Sequence, residues 1–185
     1  MQKGSYGYIN SMKLKTMLLT LGIFGAAVLV YVLLLFFFPE HRTMVAIVSV
    51  LITIPGAMAM VRFIMFMRFK EGDREIYETV ERIRGDLPVY YDAILTTPDK
   101  SYGVNAFISC GRDLMGYSAY KGTESAKIEK HLKEIYENNM FKDMNIKVFT
   151  EADKFSDRIK TLAERKREET GMEDKVLHLL ERITL

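Results

Sequence analysis

Glu78 and Glu81 stand in a stretch of helical periodicity, with Lys121 further along the chain. Carboxylates and a lysine are what metal-dependent hydrolysis needs. Two carboxylates hold the divalent ion, and a lysine steadies the attacking water or the phosphate. Taken alone, Glu78 and Glu81 read as carboxylates on a solvated helix face. Cys110 precedes a turn that carries Arg112, and such a neighbour can depress a thiol pKa. The plainer reading is a small apolar residue at a strand end. Asp92 and Asp113 flank strands at turns, where Asp is a common structural residue. His131 lies between Lys130 and Leu132 on a polar helix and reads as solvated. His41, His131 and His178 are far apart, and the one cysteine permits neither a zinc grouping nor an intramolecular disulfide. Gly111 and Gly116 do not open a helix with Lys-Ser or Lys-Thr, so there is no phosphate loop. No metal or cofactor is expected.

The elements that must position these residues fall into two unlike parts. Met17–Phe38 is an uncharged run of 22 residues. As a helix it spans about 33 Å, enough for a hydrocarbon core of roughly 30 Å. It is too long for the apolar core of a signal peptide, and no small-residue cleavage site follows it. Phe38-Pro39-Glu40-His41-Arg42 breaks the run. Thr43–Val61 is a second uncharged run, of 19 residues, with Pro55-Gly56 inside it as an expected kink. The expectation is a transmembrane hairpin over 17–67, with spans 17–38 and 43–64 and an outside hinge 39–42. Residues 1–16 are expected to be a mobile tail. Gly22, Gly25 and Ala26 are expected to pack against the second span, with dimerisation as the alternative. Met58, Met60, Met65 and Met67 read as lipid-facing or packing residues. Lys3, Lys13 and Lys15 precede the hairpin; Arg62, Arg68, Lys70 and Arg74 follow it. The positive-inside rule then puts both termini in the cytosol of a two-span cell-membrane protein. Arg62 comes early for a helix end, but its side chain reaches the headgroups by snorkelling.

Beyond the hairpin, residues 72–170 read as one mixed α/β domain, and 171–185 as an amphipathic helix. Asp73–Arg84 repeats Ile76, Val80 and Ile83 on one helical face. Val89–Thr96 reads as a strand, Thr97–Gly103 as turn chemistry and Val104–Cys110 as a second strand. Gly111-Arg112-Asp113 makes a hairpin turn into a third strand, Leu114–Tyr120. A helix from Glu124 to about Met140 buries Ile128, Leu132, Ile135 and Met140. Asn145–Phe149 is a fourth strand. A helix capped by Thr150 or Asp153 buries Phe155, Ile159 and Leu162. Glu164–Thr170 reads as a solvated charge run. The fold class is thus a transmembrane hairpin plus a domain of order αβββαβα, a central sheet flanked by helices.

Val104-Asn105-Ala106-Phe107-Ile108-Ser109-Cys110-Gly111-Arg112-Asp113-Leu114-Met115-Gly116-Tyr117-Ser118-Ala119-Tyr120-Lys121-Gly122 resembles the centre of the NERD domain, the nuclease-related domain with a restriction-endonuclease-like core. That family carries an Asp at the start of one strand, a Gly turn, and then Glu-x-Lys on the next strand. The helix from Gly72-Asp73-Arg74-Glu75 resembles the family's opening helix, and Ile128–Met140 with Asn145–Phe149 resembles its later pairing. The resemblance covers roughly Gly72–Leu162. It implies a metal-dependent nuclease, and this chain departs from the family at the positions that matter. Asn105 stands where the metal-binding Asp belongs, and Ser118-Ala119-Tyr120 stands where Glu-x-Lys belongs. Neutral side chains leave a divalent charge uncompensated. Lys121 is one step along the strand and so faces the other way.

These observations point to a non-catalytic, membrane-anchored cytosolic module that binds or regulates. The alternatives are a metal-dependent nuclease with displaced carboxylates, and an accessory subunit of a membrane complex. From Arg68 onward there are 21 Lys+Arg against 23 Asp+Glu, so the domain carries no net basic excess for nucleic acid. The expected partners are the bilayer, through 17–67, and a second copy or another protein. The latter contact would use Met172, Val176, Leu179 and Ile183, the apolar stripe of an outer helix. With no ionisable residue deep in either span, transport by this chain alone has no support.

Overall fold

A computed structural model describes residues 3–70, 72–164 and 171–185. The chain divides into two units, Ile9–Lys70 and a second made of Met1–Tyr8 with Glu71–Leu185.

The first unit is two helices. α1 runs Tyr8–Phe37 and α2 runs Arg42–Met67, joined through the 3₁₀ turn Pro39–His41. α2 continues through Pro55 as one element. Both helices are long and apolar enough to cross a membrane, and only 6% and 17% of their most apolar windows are buried. A core helix of a soluble protein would be mostly covered. Here Leu21, Val28, Leu29, Phe36, Val50 and Met58 all stand exposed. The face of small residues differs from expectation. Gly22 and Gly25 have nothing within 4 Å, whereas Gly56 of α2 lies against Ile23 and Phe24. Gly56 of α2 and the buried Ala27 of α1 supply small residues, and Gly22 and Gly25 face away from the contact.

The second unit is a four-stranded mixed sheet with helices. In chain order it contains α3 (Arg74–Ile83), β1 (Val89–Thr96), β2 (Ser101–Cys110), β3 (Asp113–Tyr117), α4 (Ser125–Asn138), β4 (Asn145–Phe149), α5 (Ala152–Ala163) and α6 (Met172–Ile183). The strands lie in the order β1-β2-β3-β4. β1–β2 and β2–β3 are antiparallel, and β3–β4 is parallel across the α4 connection. β3 stops at Tyr117, three residues short of the expected end, so Ser118-Ala119-Tyr120-Lys121 lies beyond the strand and Lys121 has no strand face. Of the expected charge run, residues 165–170 lie outside those described.

Each face of the sheet has its own core. On one side Ile128, Leu132 and Tyr136 of α4 pack with Val176, Leu179 and Leu180 of α6. On the other, Val80 of α3 packs with Phe155, Ile159 and Leu162 of α5. The placement of α6 corrects the outer-helix expectation. Val176 and Leu180 are fully buried and Leu179 nearly so, so the sheet covers the stripe. Tyr136 Oη donates to the Val176 carbonyl at 2.8 Å, tying α6 to α4. Met140 is also corrected: it is 91% exposed, in a left-handed turn after α4 rather than on its buried face.

β1 is an edge strand, and an open edge invites pairing with other chains. Both terminal segments cover it. Tyr91 N–H donates to the Gly4 carbonyl at 2.8 Å, and Leu185 N–H donates to the Ile94 carbonyl at 3.1 Å. Of the expected mobile tail 1–16, residues 3–8 are thus ordered with the domain, and residues 9–16 belong to α1, which begins nine residues before the expected span. Lys3 Nζ reaches the Thr184 carbonyl at 2.9 Å, and Tyr6 stacks on Tyr77 at 4.4 Å. Gly4 must be glycine, because it has φ +81° and a Cβ there would come within 2.5 Å of the Tyr90 ring.

Candidate functional site

The candidate site lies where β1 and β2 change their side-chain alternation. A strand presents residues i and i+2 to one face. On β1, Tyr91 packs into one core while Ala93 and Leu95 pack into the other; on β2, Ala106 and Val104 divide in the same way. The break falls at Asp92, whose φ is +53°, and at Asn105, which stands opposite it between the pairs Tyr91↔Ala106 and Ala93↔Val104. A left-handed residue in mid-strand rotates the chain, and Asp is among the few non-glycine residues that tolerate it.

Asp92 therefore does not sit at a turn, as its sequence context suggested. It is 2% exposed, and its carboxylate accepts two backbone hydrogen bonds. Gly7 N–H donates to Oδ2 at 2.9 Å and Gly72 N–H to Oδ1 at 3.3 Å. Gly7 immediately precedes α1, and Gly72 follows α2 by a few residues. One carboxylate thus bonds both stretches of this unit that flank the helices in sequence. Tyr6 Oη donates to the Gly72 carbonyl at 3.2 Å, joining the two connections directly. Gly72 also lies close to Asn105, since a Cβ on it would be 3.2 Å from Asn105 Nδ2.

Asn105 and Ser118 come together beside this clamp, both buried. Asn105 Oδ1 accepts from Ala119 N–H at 2.7 Å. Ser118 Oγ donates to the Gly103 carbonyl at 2.7 Å and lies 2.8 Å from Thr123 Oγ1. These bonds stitch the segment after β3 back onto β2, so both side chains serve backbone groups. Tyr120 is half-buried in that segment, and Lys121 is exposed next to it.

Glu78 and Glu81 do not join the cluster. Glu78 pairs with Arg74 at 2.8 Å on the exposed face of α3. Glu81 pairs with Arg84 at 2.8 Å and accepts from Tyr91 Oη at 2.8 Å. Burial raises the Tyr91 pKa, and the bond to Glu81 adds to the shift, so Tyr91 is a neutral donor across the physiological range. Asp113 opens β3 and faces Asn145 and Arg158, at the other end of the strand. Cys110 is half-buried with Sγ 4.0 Å from the Leu162 carbonyl, a packing environment. Among the described residues, no group of three or more His, Cys, Asp or Glu side chains could hold a metal ion.

Sequence reasoning missed the Asp92 clamp. The available signal was a charged residue inside an otherwise apolar strand, Tyr90-Tyr91-Asp92-Ala93-Ile94-Leu95, where burial demands partners. Comparison with protein-family models, curated proteins and solved structures finds no match to this chain.

Proposed function

We propose that this chain is a non-catalytic binding or regulatory module, anchored at the inner face of a membrane by a two-helix hairpin and related to a degenerate NERD domain. One observation carries the non-catalytic reading. The polar side chains at the centre of the sheet, Asp92, Asn105 and Ser118, are engaged with backbone groups of their own chain. A hydrolytic site needs carboxylates free to take a metal and a lysine beside them. Here the one central carboxylate closes the domain instead.

The clamp also supports the anchoring by a hairpin. The segment before α1 and the chain after α2 belong to one folded unit. A hairpin that leaves and returns to one unit crosses the bilayer twice, with both connections on one side. Lys3, Lys13 and Lys15, before and within the first turns of α1, and Arg62, Arg68, Lys70 and Arg74, around and beyond the end of α2, support the cytosol as that side.

The test of the non-catalytic reading uses the full chain in detergent, incubated with DNA or RNA and Mg²⁺ or Mn²⁺. The expected result is no metal-dependent cleavage above the level of an Asp92→Asn preparation. Cleavage that survives stringent purification and falls in Asp92→Asn overturns the reading.

A further inference from the structure

The second unit carries a groove of about 470 Å³ between the turn after α4 and the outer side of α6, within the range of small-ligand sites. Asn139 and Phe141 line it from the turn; Asp174, Lys175, His178, Leu179 and Arg182 line it from α6. Lys175, His178 and Arg182 recur at helical spacing and so share one face of α6.

Ion pairs within the domain neutralise several of its cations. Arg74, Arg84, Lys100, Lys127, Lys130, Lys154 and Lys160 each have a carboxylate partner within the domain. Among the described residues, Lys175 and Arg182 form no such pair, although the domain has more acidic than basic residues. Among the described residues, Asp174 is the one carboxylate lining the groove, against Lys175 and Arg182. In the turn opposite, Met140 between the lining residues Asn139 and Phe141 has φ +68°, a left-handed conformation uncommon for a bulky side chain.

We propose that this groove binds a phosphate-bearing anion, with Lys175, His178 and Arg182 as donors and Phe141 and Leu179 as its apolar floor. Guanidinium and ammonium groups suit phosphate oxygens, the former in a bidentate manner. Lys175 and Arg182 are two helical turns apart, about 10 Å along the axis, which favours an extended anion such as a diphosphate over a single phosphate. The same chemistry is offered by a soluble diphosphate and by the headgroup of an anionic lipid. The inference rests on the reading of the domain as a binding module and names its ligand class. Nucleic-acid cleavage is scored in a separate assay, so failure of one reading is distinguishable from failure of the other.

The experiment places the full chain in nanodiscs of phosphatidylcholine and titrates inorganic pyrophosphate by calorimetry at low salt. A second arm repeats the titration in nanodiscs containing phosphatidylglycerol. Saturable binding is expected, weakened about tenfold or more in the Lys175→Gln/Arg182→Gln double variant. A Lys130→Gln/Lys133→Gln control, outside the groove, is expected to bind normally. If the natural source is lipid, phosphatidylglycerol competes with pyrophosphate in the wild type and not in the double variant. If it is soluble, both nanodiscs give one affinity. Binding unchanged by the double variant, or no binding of either source, overturns the proposal.

Discussion

Replacing Asp92 by alanine removes the acceptor for two backbone N–H groups, Gly7 at 2.9 Å and Gly72 at 3.3 Å. A hydrogen bond to a charged group contributes about 1.5–3 kcal/mol, and a buried donor left without a partner costs about 1–3 kcal/mol. The Gly72 bond is long and counts for less than the Gly7 bond. Alanine at φ +53° adds about 1 kcal/mol of backbone strain. Relief from burying a charge offsets part of this, leaving a net loss of about 2–4 kcal/mol. For a domain of this size that is roughly 8–16 °C in Tm. The loss has a place as well as a size. The amide of Tyr91, which bonds the Gly4 carbonyl, and that of Gly7 should exchange faster, while amides of α4 and β4 keep their protection up to global unfolding. Thermal unfolding of the full chain in detergent, paired with hydrogen exchange read by mass spectrometry, measures both. Asp92→Gly separates the causes: it restores backbone freedom but not the acceptor, so it should recover only the strain component. A wild-type Tm with unchanged protection of residues 3–8 in Asp92→Ala would refute the clamp.

Three further outcomes follow from particular contacts. Ser109 Oγ is buried without a hydrogen-bond partner, so Ser109→Ala should stabilise by about 1 kcal/mol, read as a higher midpoint in urea. Truncation after Thr170 removes Val176, Leu179 and Leu180 from the core; at about 1.5–3 kcal/mol each this approaches the whole stability of a domain. The shortened chain should lose its cooperative thermal transition, and a transition kept within a few degrees would return α6 to an outer position. Burial pushes the Tyr90 hydroxyl from 10.0 up to about 12, partly countered by its bond to Thr184. The folded state therefore holds this proton longer than the unfolded state. The stabilisation is complete below pH 10 and is lost as pH rises towards 12. Urea midpoints at pH 9 and pH 11.5, with tyrosinate absorbance, should fall and rise together.

Strands and helices with a plain period were legible in the sequence. Asn145–Phe149 and Met172–Ile183 have the bounds that their patterns suggest, and the two uncharged runs form two long helices. What was not legible depended on partners far away in the chain. Residues 1–16 read as a mobile tail because Gly4, Gly7 and Asn10 stand among polar residues; Gly4 is instead bonded by β1, and α1 already begins at Tyr8. Asp92 read as a turn residue because Asp is common at turns, and its mid-strand role depends on Gly7 and Gly72, which lie 85 and 20 residues away. α6 read as surplus because α3, α4 and α5 already offered helices for both faces. The two cores show why it is needed: α3 shares one face with α5, leaving α4 alone on the other without α6. At the candidate site, the neutral Asn105 and Ser118 were legible as residues, but their use by the Ala119 and Gly103 backbone was not.

The central claim is that a membrane hairpin leaves and returns to one cytosolic unit. Single cysteines at Glu40, in the turn between α1 and α2, and at Asp99, in the turn between β1 and β2, test it in a Cys110→Ala background. A membrane-impermeant maleimide added to intact cells should label the Glu40→Cys protein. The Asp99→Cys protein should react only after permeabilisation. Labelling of Asp99→Cys from outside, with Glu40→Cys protected, would contradict the account.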